Sequence, residues 1–265
     1  MENIENIENV ENEEKVIEVR DLCKTYIVNS NSNNVLQNIN FSLNKGEFLT
    51  IMGPSGSGKS TLLYTVSGMD SMTAGHVVFN GKNLNSLNSK LLASVRLKEM
   101  GFIFQQMYML KKLSVFDNIV LPGYQAGSES RKEINKRAEE LMRSLGIIEF
   151  ADRDINSVSG GELQRACLCR ALINKPSVLF ADEPTGALNS KAAGEVMNQL
   201  VNANKNGTSI MMVTHSAHVA AQCDRVIYLM DGNIKGEICL GKYTQAEELK
   251  NRERMLNNWL FDLGW

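Results

Sequence analysis

The residues best suited to chemistry lie in three short stretches, each beginning where an apolar run ends. The first is Gly53, Pro54, Ser55, Gly56, Ser57, Gly58, Lys59, Ser60, Thr61, which fits G-x-x-x-x-G-K-[ST]. Its glycines let successive backbone N–H groups turn inward around phosphate oxygens. Lys59 is placed to neutralise β- and γ-phosphates, and the Ser60 hydroxyl to ligate Mg²⁺. The second stretch is Ser-Val-Leu-Phe-Ala-Asp182-Glu183. Here Asp182 is expected to hold Mg²⁺, directly or through water, and Glu183 to polarise an attacking water. In the third, Val-Thr-His215, a histidine at a strand end can reach a γ-phosphate. His218 follows three residues later, and a His-x-x-His metal pair is the competing reading, though no further ligand stands at matching spacing.

A fourth stretch, Ser159-Gly160-Gly161-Glu162, opens a helical segment and has two compatible readings. Ser159 and Glu162 form a capping box, and the glycine amides make an anion site at the helix mouth.

These groups need elements to position them. Phe48–Met52, Ser177–Asp182 and Thr208–His215 are bare apolar runs with β-branched content, as expected for strands covered on both faces of a parallel sheet. Ligands in such sheets bind at the carboxyl ends of the strands, where all three chemical stretches fall. The segment from Arg225 to Leu240 resembles a closing hairpin. Between about 106 and 170 the texture is helical: Ser130 and Glu133 make a capping box, with Ile134, Ala138, Leu141 and Leu145 following at helical spacing. Thr244 and Glu247 suggest a second such box, opening a C-terminal helix that carries Leu249, Leu256, Trp259, Leu260 and Leu263. The first fourteen residues repeat Glu-Asn with a period of three, which suits neither helix nor strand and reads as an acidic tail.

The chain has 265 residues, 43% of them hydrophobic, and a formal net charge of −2, so no basic surface for nucleic acid is expected. Five cysteines without a CxxC pair suit reduced, mostly buried thiols. No apolar run approaches the roughly 18–20 residues of a membrane span, and the acidic N-terminus lacks signal-peptide features. The expectation is a protein that stays on the side where it is made and relies on another polypeptide for any membrane process.

Taken in order and approximate spacing, Gly53–Thr61, Gln105, Val-Ser-Gly-Gly-Glu162, Val-Leu-Phe-Ala-Asp-Glu-Pro, Gly-Ala-Leu-Asn189-Ser and Val-Thr-His-Ser resemble an ABC transporter ATP-binding subunit. The similarity spans about 16–236. The stretch from Gly101 to Pro122 is similar to the branch serving antimicrobial-peptide export and resistance, MacB-like efflux and lipoprotein release, whose permease partners are of the FtsX type. The resemblance implies an α/β fold: a P-loop NTPase (RecA-like) core, an antiparallel β subdomain and an inserted α-helical subdomain. The implied division is a tail at 1–14, an ATPase domain at 15–243 and a C-terminal helix at 244–265.

It further implies ATP with Mg²⁺, a homodimer sandwiching two ATP molecules, and a cytoplasmic subunit held at the membrane through its permease. Position by position, Tyr26 matches the aromatic that stacks on adenine, although a plain core or surface tyrosine remains an alternative. Gln105 matches the glutamine that reaches Mg²⁺ and the attacking water, with Gln106 as the competing choice. Glu183 matches the catalytic base and His215 the switch histidine. Ser159, Gly160, Gly161 and Glu162 match the signature that contacts the partner's ATP. Two departures stand out: Glu162 replaces the usual Gln, and Asn189 the usual Asp. Asn189 keeps the shape and loses the charge, which implies slower hydrolysis with ATP binding intact. The resemblance places Met107–Leu113 at the permease contact, with lobe core as the alternative. ATP-gated signalling through an FtsX-type permease, or a non-transport ATPase, are the other function classes.

Overall fold

The computed structural model describes residues 14–28, 31–186 and 188–265. The acidic repeat at 1–13 lies outside the described residues.

Two sheets and a set of helices make up the architecture. β1 (Lys15–Val28), β2 (Asn31–Asn44), β4 (Ala74–Phe79) and β5 (Lys82–Asn83) form an antiparallel sheet in the order β2-β1-β4-β5. The second sheet joins β3 (Phe48–Met52), β6 (Met100–Ile103), β7 (Val178–Asp182), β8 (Ser209–Val213), β9 (Arg225–Met230) and β10 (Asn233–Cys239). Its order is β10-β9-β3-β8-β7-β6, all pairs parallel except the β9–β10 hairpin.

β3, β7 and β8 are buried at every residue, which explains why their sequences lack polar alternation. Their side chains nevertheless alternate between two cores, because successive Cβ atoms point to opposite faces. Leu179, Ala181, Ile210 and Met212 pack beneath the helices, whereas Val178, Phe180, Met211 and Val213 face the side that carries α1 (Lys59–Val66) and the antiparallel sheet.

Helices α2 (Ser89–Glu99), α3 (Val115–Ala126), α4 (Arg131–Ser144), α5 (Gly160–Leu172), α6 (Ser190–Lys205) and α7 (Ala217–Ala220) follow in chain order. Ser130 and Glu133 cap α4 reciprocally, and Ile134, Ala138 and Leu145 are buried in the helical core while Leu141 is only partly covered.

The last helix, α8 (Leu249–Asp262), docks on its own chain. Leu256 and Leu260 are fully buried against Met52, Ala220, Ala221, Val226 and Tyr228, with Leu249, Trp259 and Leu263 partly covered. Arg252 fastens it: Nε donates to Ala221 O at 2.7 Å, Nη1 to Leu240 O at 2.8 Å, and Nη2 to Cys223 O at 2.7 Å and Gly241 O at 2.9 Å. The Thr244–Glu247 capping box does not form. The chain enters α8 through a 3₁₀ turn, Ala246–Glu248, and Thr244 Oγ1 donates instead to Glu248 Oε1 at 2.8 Å. Because the turn precedes the helix, Thr244 is too far upstream to meet an N-terminal amide of α8. All five cysteines are free, with Cys167, Cys169 and Cys223 buried, Cys23 half-buried and Cys239 exposed.

Candidate functional site

Parallel pairing brings the chemical stretches together. Ile51 pairs with Val213 and Asp182 with Val213, so the ends of β3, β8 and β7 emerge side by side. The turn after β3 wraps into α1, whose N-cap is Gly58 at φ 99° with no side-chain cap. By contrast, Asn88, Ser114, Ser130, Ser159 and Asn189 place a side-chain oxygen on a backbone N–H at the start of α2 to α6. The N–H groups opening α1 are therefore left for another acceptor, which is the condition for anion binding. Glycine at 58 is required: an added Cβ would lie 2.9 Å from Val35 O.

A cavity of about 430 Å³ opens over this turn, lined by Val35, Ser55, Gly56, Gly58, Lys59, Ser60, Thr61, Gln105, Glu183, Gly186 and His215. Lys59 Nζ donates to Gly53 O and Pro54 O, each at 2.8 Å. Burial pulls its ammonium below the ordinary lysine range, opposed by the charges of Glu183 and Asp182. Ser60 Oγ donates to Asp182 Oδ1 at 2.9 Å. Glu183 sits at φ +45°, an unfavourable conformation for a non-glycine residue. Its Oε1 lies 2.8 Å from His215 Nδ1, and its Oε2 accepts from Thr214 Oγ1 at 3.2 Å.

Not every expected residue lines this cavity. Gly53, Pro54, Ser57 and Asp182 are not among its lining residues; Asp182 is buried and meets the cavity only through the Ser60 hydroxyl, and Ser57 is buried with its hydroxyl unpartnered among the described residues. Gln105 is a lining residue and Gln106 is not. Tyr26, on β1, lies outside the lining. Its hydroxyl donates to Asp70 at 2.5 Å and lies beside Thr61, while Lys24 Nζ sits 4.5 Å from the ring centroid. His215 and His218 do not converge: His218 Nδ1 pairs with Glu253 at 3.0 Å, so each histidine answers a different carboxylate.

The Ser159 stretch forms a separate pocket of about 420 Å³, lined by Ser159, Gly160, Gly161, Arg165, Leu188, Asn189, Lys191, Ala192 and Glu195. It shares no lining residue with the first cavity. Glu162 Oε2 accepts from Ser159 N at 2.6 Å, and Ser159 Oγ accepts from Glu162 N at 3.4 Å. These bonds hold the Glu162 carboxyl below its ordinary range. Asn189 Oδ1 caps α6 through Ala192 N at 2.9 Å.

Three further residues belong to the site: Thr214 sits inside the Val-Thr-His stretch, which assigns it no role, and no motif announces Tyr64 or Gln164. Tyr64 donates to Asp182 Oδ2 at 2.7 Å, and burial together with that carboxylate pushes its phenol well above the usual range. Thr214 holds Glu183. Buried Gln164, on α5, donates to Pro184 O at 2.8 Å and so ties the Ser159 helix to the turn after Glu183. Gln164 stands two residues after Glu162, but only the tertiary fold shows its partner.

Comparison with known proteins agrees with this geometry. The family model described as "ABC transporter" matches residues 36–186. The bacitracin export ATP-binding protein BceA of Halalkalibacterium halodurans is 40% identical over 237 residues, covering 89% of this chain and 93% of that protein. The lipoprotein-releasing system ATP-binding protein LolD of Aquifex aeolicus is 42% identical over 204 residues, covering 77% and 91%. The dimeric structure of MJ0796, a bacterial ABC transporter cassette, superposes with a TM-score of 0.80 at 37% identity, covering 84% of this chain and 98% of that one. The same cassette is also known as a dimer in a post-hydrolysis state bound to ADP and Pi, with a TM-score of 0.79 at 36% identity and the same coverage. An uncapped glycine-rich turn facing paired carboxylates, on a chain matched along this much of its length, belongs to the ABC transporter family of ATP-binding cassettes, and the protein is an ATPase.

Proposed function

We propose that the chain is the ATP-hydrolysing subunit of a membrane transporter and works as a homodimer that encloses two ATP molecules. The observation that carries this reading is the pair of disjoint pockets. One has the phosphate turn and Glu183, with Asp182 buried against Ser60; the other has an open glycine helix mouth, and its one carboxylate, Glu195, is engaged by Arg165. A second copy, turned to face the first, would bring each ATP between both kinds of pocket.

Within one such site, Lys59 neutralises phosphate oxygens and the N–H groups opening α1 receive them. Glu183 accepts a proton from water as the water oxygen attacks the γ-phosphorus and the bond to ADP breaks. Thr214 and His215 orient the Glu183 carboxylate, and His215 lines the same cavity, in reach of the γ-phosphate position. Mg²⁺ fits the residues present: Ser60 and Asp182 converge as hard oxygen donors, and this ion needs only one or two protein ligands beside phosphate and water. Ser60, Asp182 and Gln105 would hold it, and bound there it would supply charge neutralisation between the β- and γ-phosphates. Tyr26, fixed through Asp70 at the flank of the turn, is the residue for the adenine.

The permease is of the FtsX type, and the substrate class is antimicrobial peptides or lipid-like molecules. The similarity to a bacitracin exporter and a lipoprotein-releasing ATPase supports this. The subunit sits at the cytoplasmic face of the membrane; no helix among the described residues is long and apolar enough to cross it. Tyr108 and Leu110 are exposed, and Tyr108 lines a cavity of about 280 Å³ together with Met69, Phe102 and Phe104, which suits a permease segment, while Met109 packs into the helical core.

The decisive test is Glu183→Gln with ATP and Mg²⁺. Size exclusion should show a stable dimer that dissociates when nucleotide is removed. A chain that stays monomeric at high protein concentration refutes the self-assembled sandwich.

A further inference from the structure

Tyr64 lies on α1 beyond the last residue of the glycine-rich motif, and nothing in that motif asks for an aromatic there. In the fold its hydroxyl donates to Asp182 Oδ2 at 2.7 Å, while Ser60 Oγ donates to Oδ1 of the same carboxylate at 2.9 Å. Ser60 and Tyr64 are four residues apart, one turn of helix, so a single helical face grips both carboxylate oxygens. The Tyr64 ring is itself held: it lies 6.3 Å from Phe104, tilted by 43°. Phe104 stacks on Phe102 at 5.8 Å, and Phe102 on Phe180 of β7 at 5.5 Å. Because Gln105 follows Phe104, this aromatic row joins the carboxylate to the other residue assigned to the metal.

We propose that Tyr64 is a positioning residue for the Mg²⁺ site, fixing the Asp182 carboxylate so that Oδ1 stays on the Ser60 side. The proposal rests on Asp182 holding the ion. A carboxylate turns about its terminal torsion in a broad, roughly two-fold well, so one hydrogen bond leaves it loosely oriented and two lock it. Groups that hydrogen-bond a metal-ligating carboxylate typically change metal affinity about 10- to 100-fold when removed. A phenol suits this task because its donor is carried on a rigid ring already seated against Phe104.

Tyr64→Phe deletes one oxygen and keeps the ring contacts, so it isolates the hydrogen bond. The full chain is titrated with a fluorescent ATP analogue, first in EDTA and then at fixed nucleotide with rising Mg²⁺. The midpoint in Mg²⁺ should rise about tenfold, with nucleotide affinity in EDTA and the unfolding temperature unchanged. A rise of about threefold or more supports the role, and a smaller one overturns it. Nucleotide affinity lost equally in EDTA would make Tyr64 merely structural and also overturn it. Asp182→Asn, measured in parallel, separates the two levels. If it too leaves the midpoint in place, the assignment of Asp182 to the metal falls. If it shifts the midpoint and Tyr64→Phe does not, only the role of Tyr64 falls.

Discussion

Replacing Arg252 by alanine should release the C-terminal helix while leaving the ATPase body folded. The guanidinium donates to four carbonyls, two of the bonds fully buried (to Ala221 O and Cys223 O) and two partly so (to Leu240 O and Gly241 O). Hydrogen bonds to a charged group contribute about 1.5–3 kcal/mol each, so the two buried ones alone amount to about 3–6 kcal/mol. Burial of Leu256 and Leu260 contributes a similar amount, about 1.5–3 kcal/mol each. The substitution therefore removes roughly half of what docks α8. The chain offers a convenient reporter: it has two tryptophans, Trp259 and Trp265, both in the C-terminal segment, and both rings lie edge-on to Tyr228 of β9. In urea, tryptophan emission of the variant should shift to the red well before far-ultraviolet circular dichroism is lost, whereas in the wild type the two transitions stay closer together. Arg252→Lys keeps the charge but not the planar fork, and should fall between. Coincident transitions with unchanged midpoints in Arg252→Ala would refute the idea that this side chain fastens the helix.

Asn189→Asp preserves the α6 cap and adds a charge favourable to the helix N-terminus by about 0.3–1 kcal/mol, so the fold should be no less stable. ATP turnover should increase, and an unchanged rate would refute the link between the missing charge and slow hydrolysis. Gly58→Ala places a Cβ 2.9 Å from Val35 O at φ +99°. It should lower stability by at least about 2 kcal/mol in denaturant melts and weaken nucleotide binding, and a fully stable, tight-binding variant would contradict the close approach. Glu162, held below its ordinary carboxyl range by Ser159, adds stability that is whole above the unfolded value of about 4.3 and lost as pH falls through the lower folded value. Glu162→Gln keeps a capping box without this titration. The wild type should thus lose ground to the variant in urea melts between pH 7 and pH 3, and parallel pH profiles would show that the bond carries no linkage.

How much of this was legible before folding depended on whether the signal was local. The phosphate turn, Asp182, Glu183 and His215 announce themselves because each follows a fully buried strand, and parallel pairing then leaves their ends adjacent. Capping at Ser130 and Ser159 was equally local. Tyr64, Thr214 and Gln164 act on partners 20 or more residues away and Arg252 on partners 11 to 31 residues away, and their own neighbourhoods read as ordinary helix or strand-end composition. Thr244 and Glu247 show the opposite failure: the spacing was right, but a 3₁₀ turn intervenes before the helix proper. Tyr26 could be picked out only by resemblance, and the fold ties its hydroxyl to Asp70, a carboxylate 44 residues on.

The backbone of Glu183, at φ +45°, bears on how the protein can decay. A left-handed residue with a side chain costs about 1–2 kcal/mol, which glycine avoids, while glycine's freer unfolded chain returns about 0.4–1 kcal/mol of that. Glu183→Gly should therefore unfold at nearly the wild-type denaturant concentration while hydrolysing no ATP. Loss of the proposed base would then leave little trace in folding or abundance, so only selection on activity would retain it. Inactive descendants of this fold would persist as well-folded chains that still bind nucleotide.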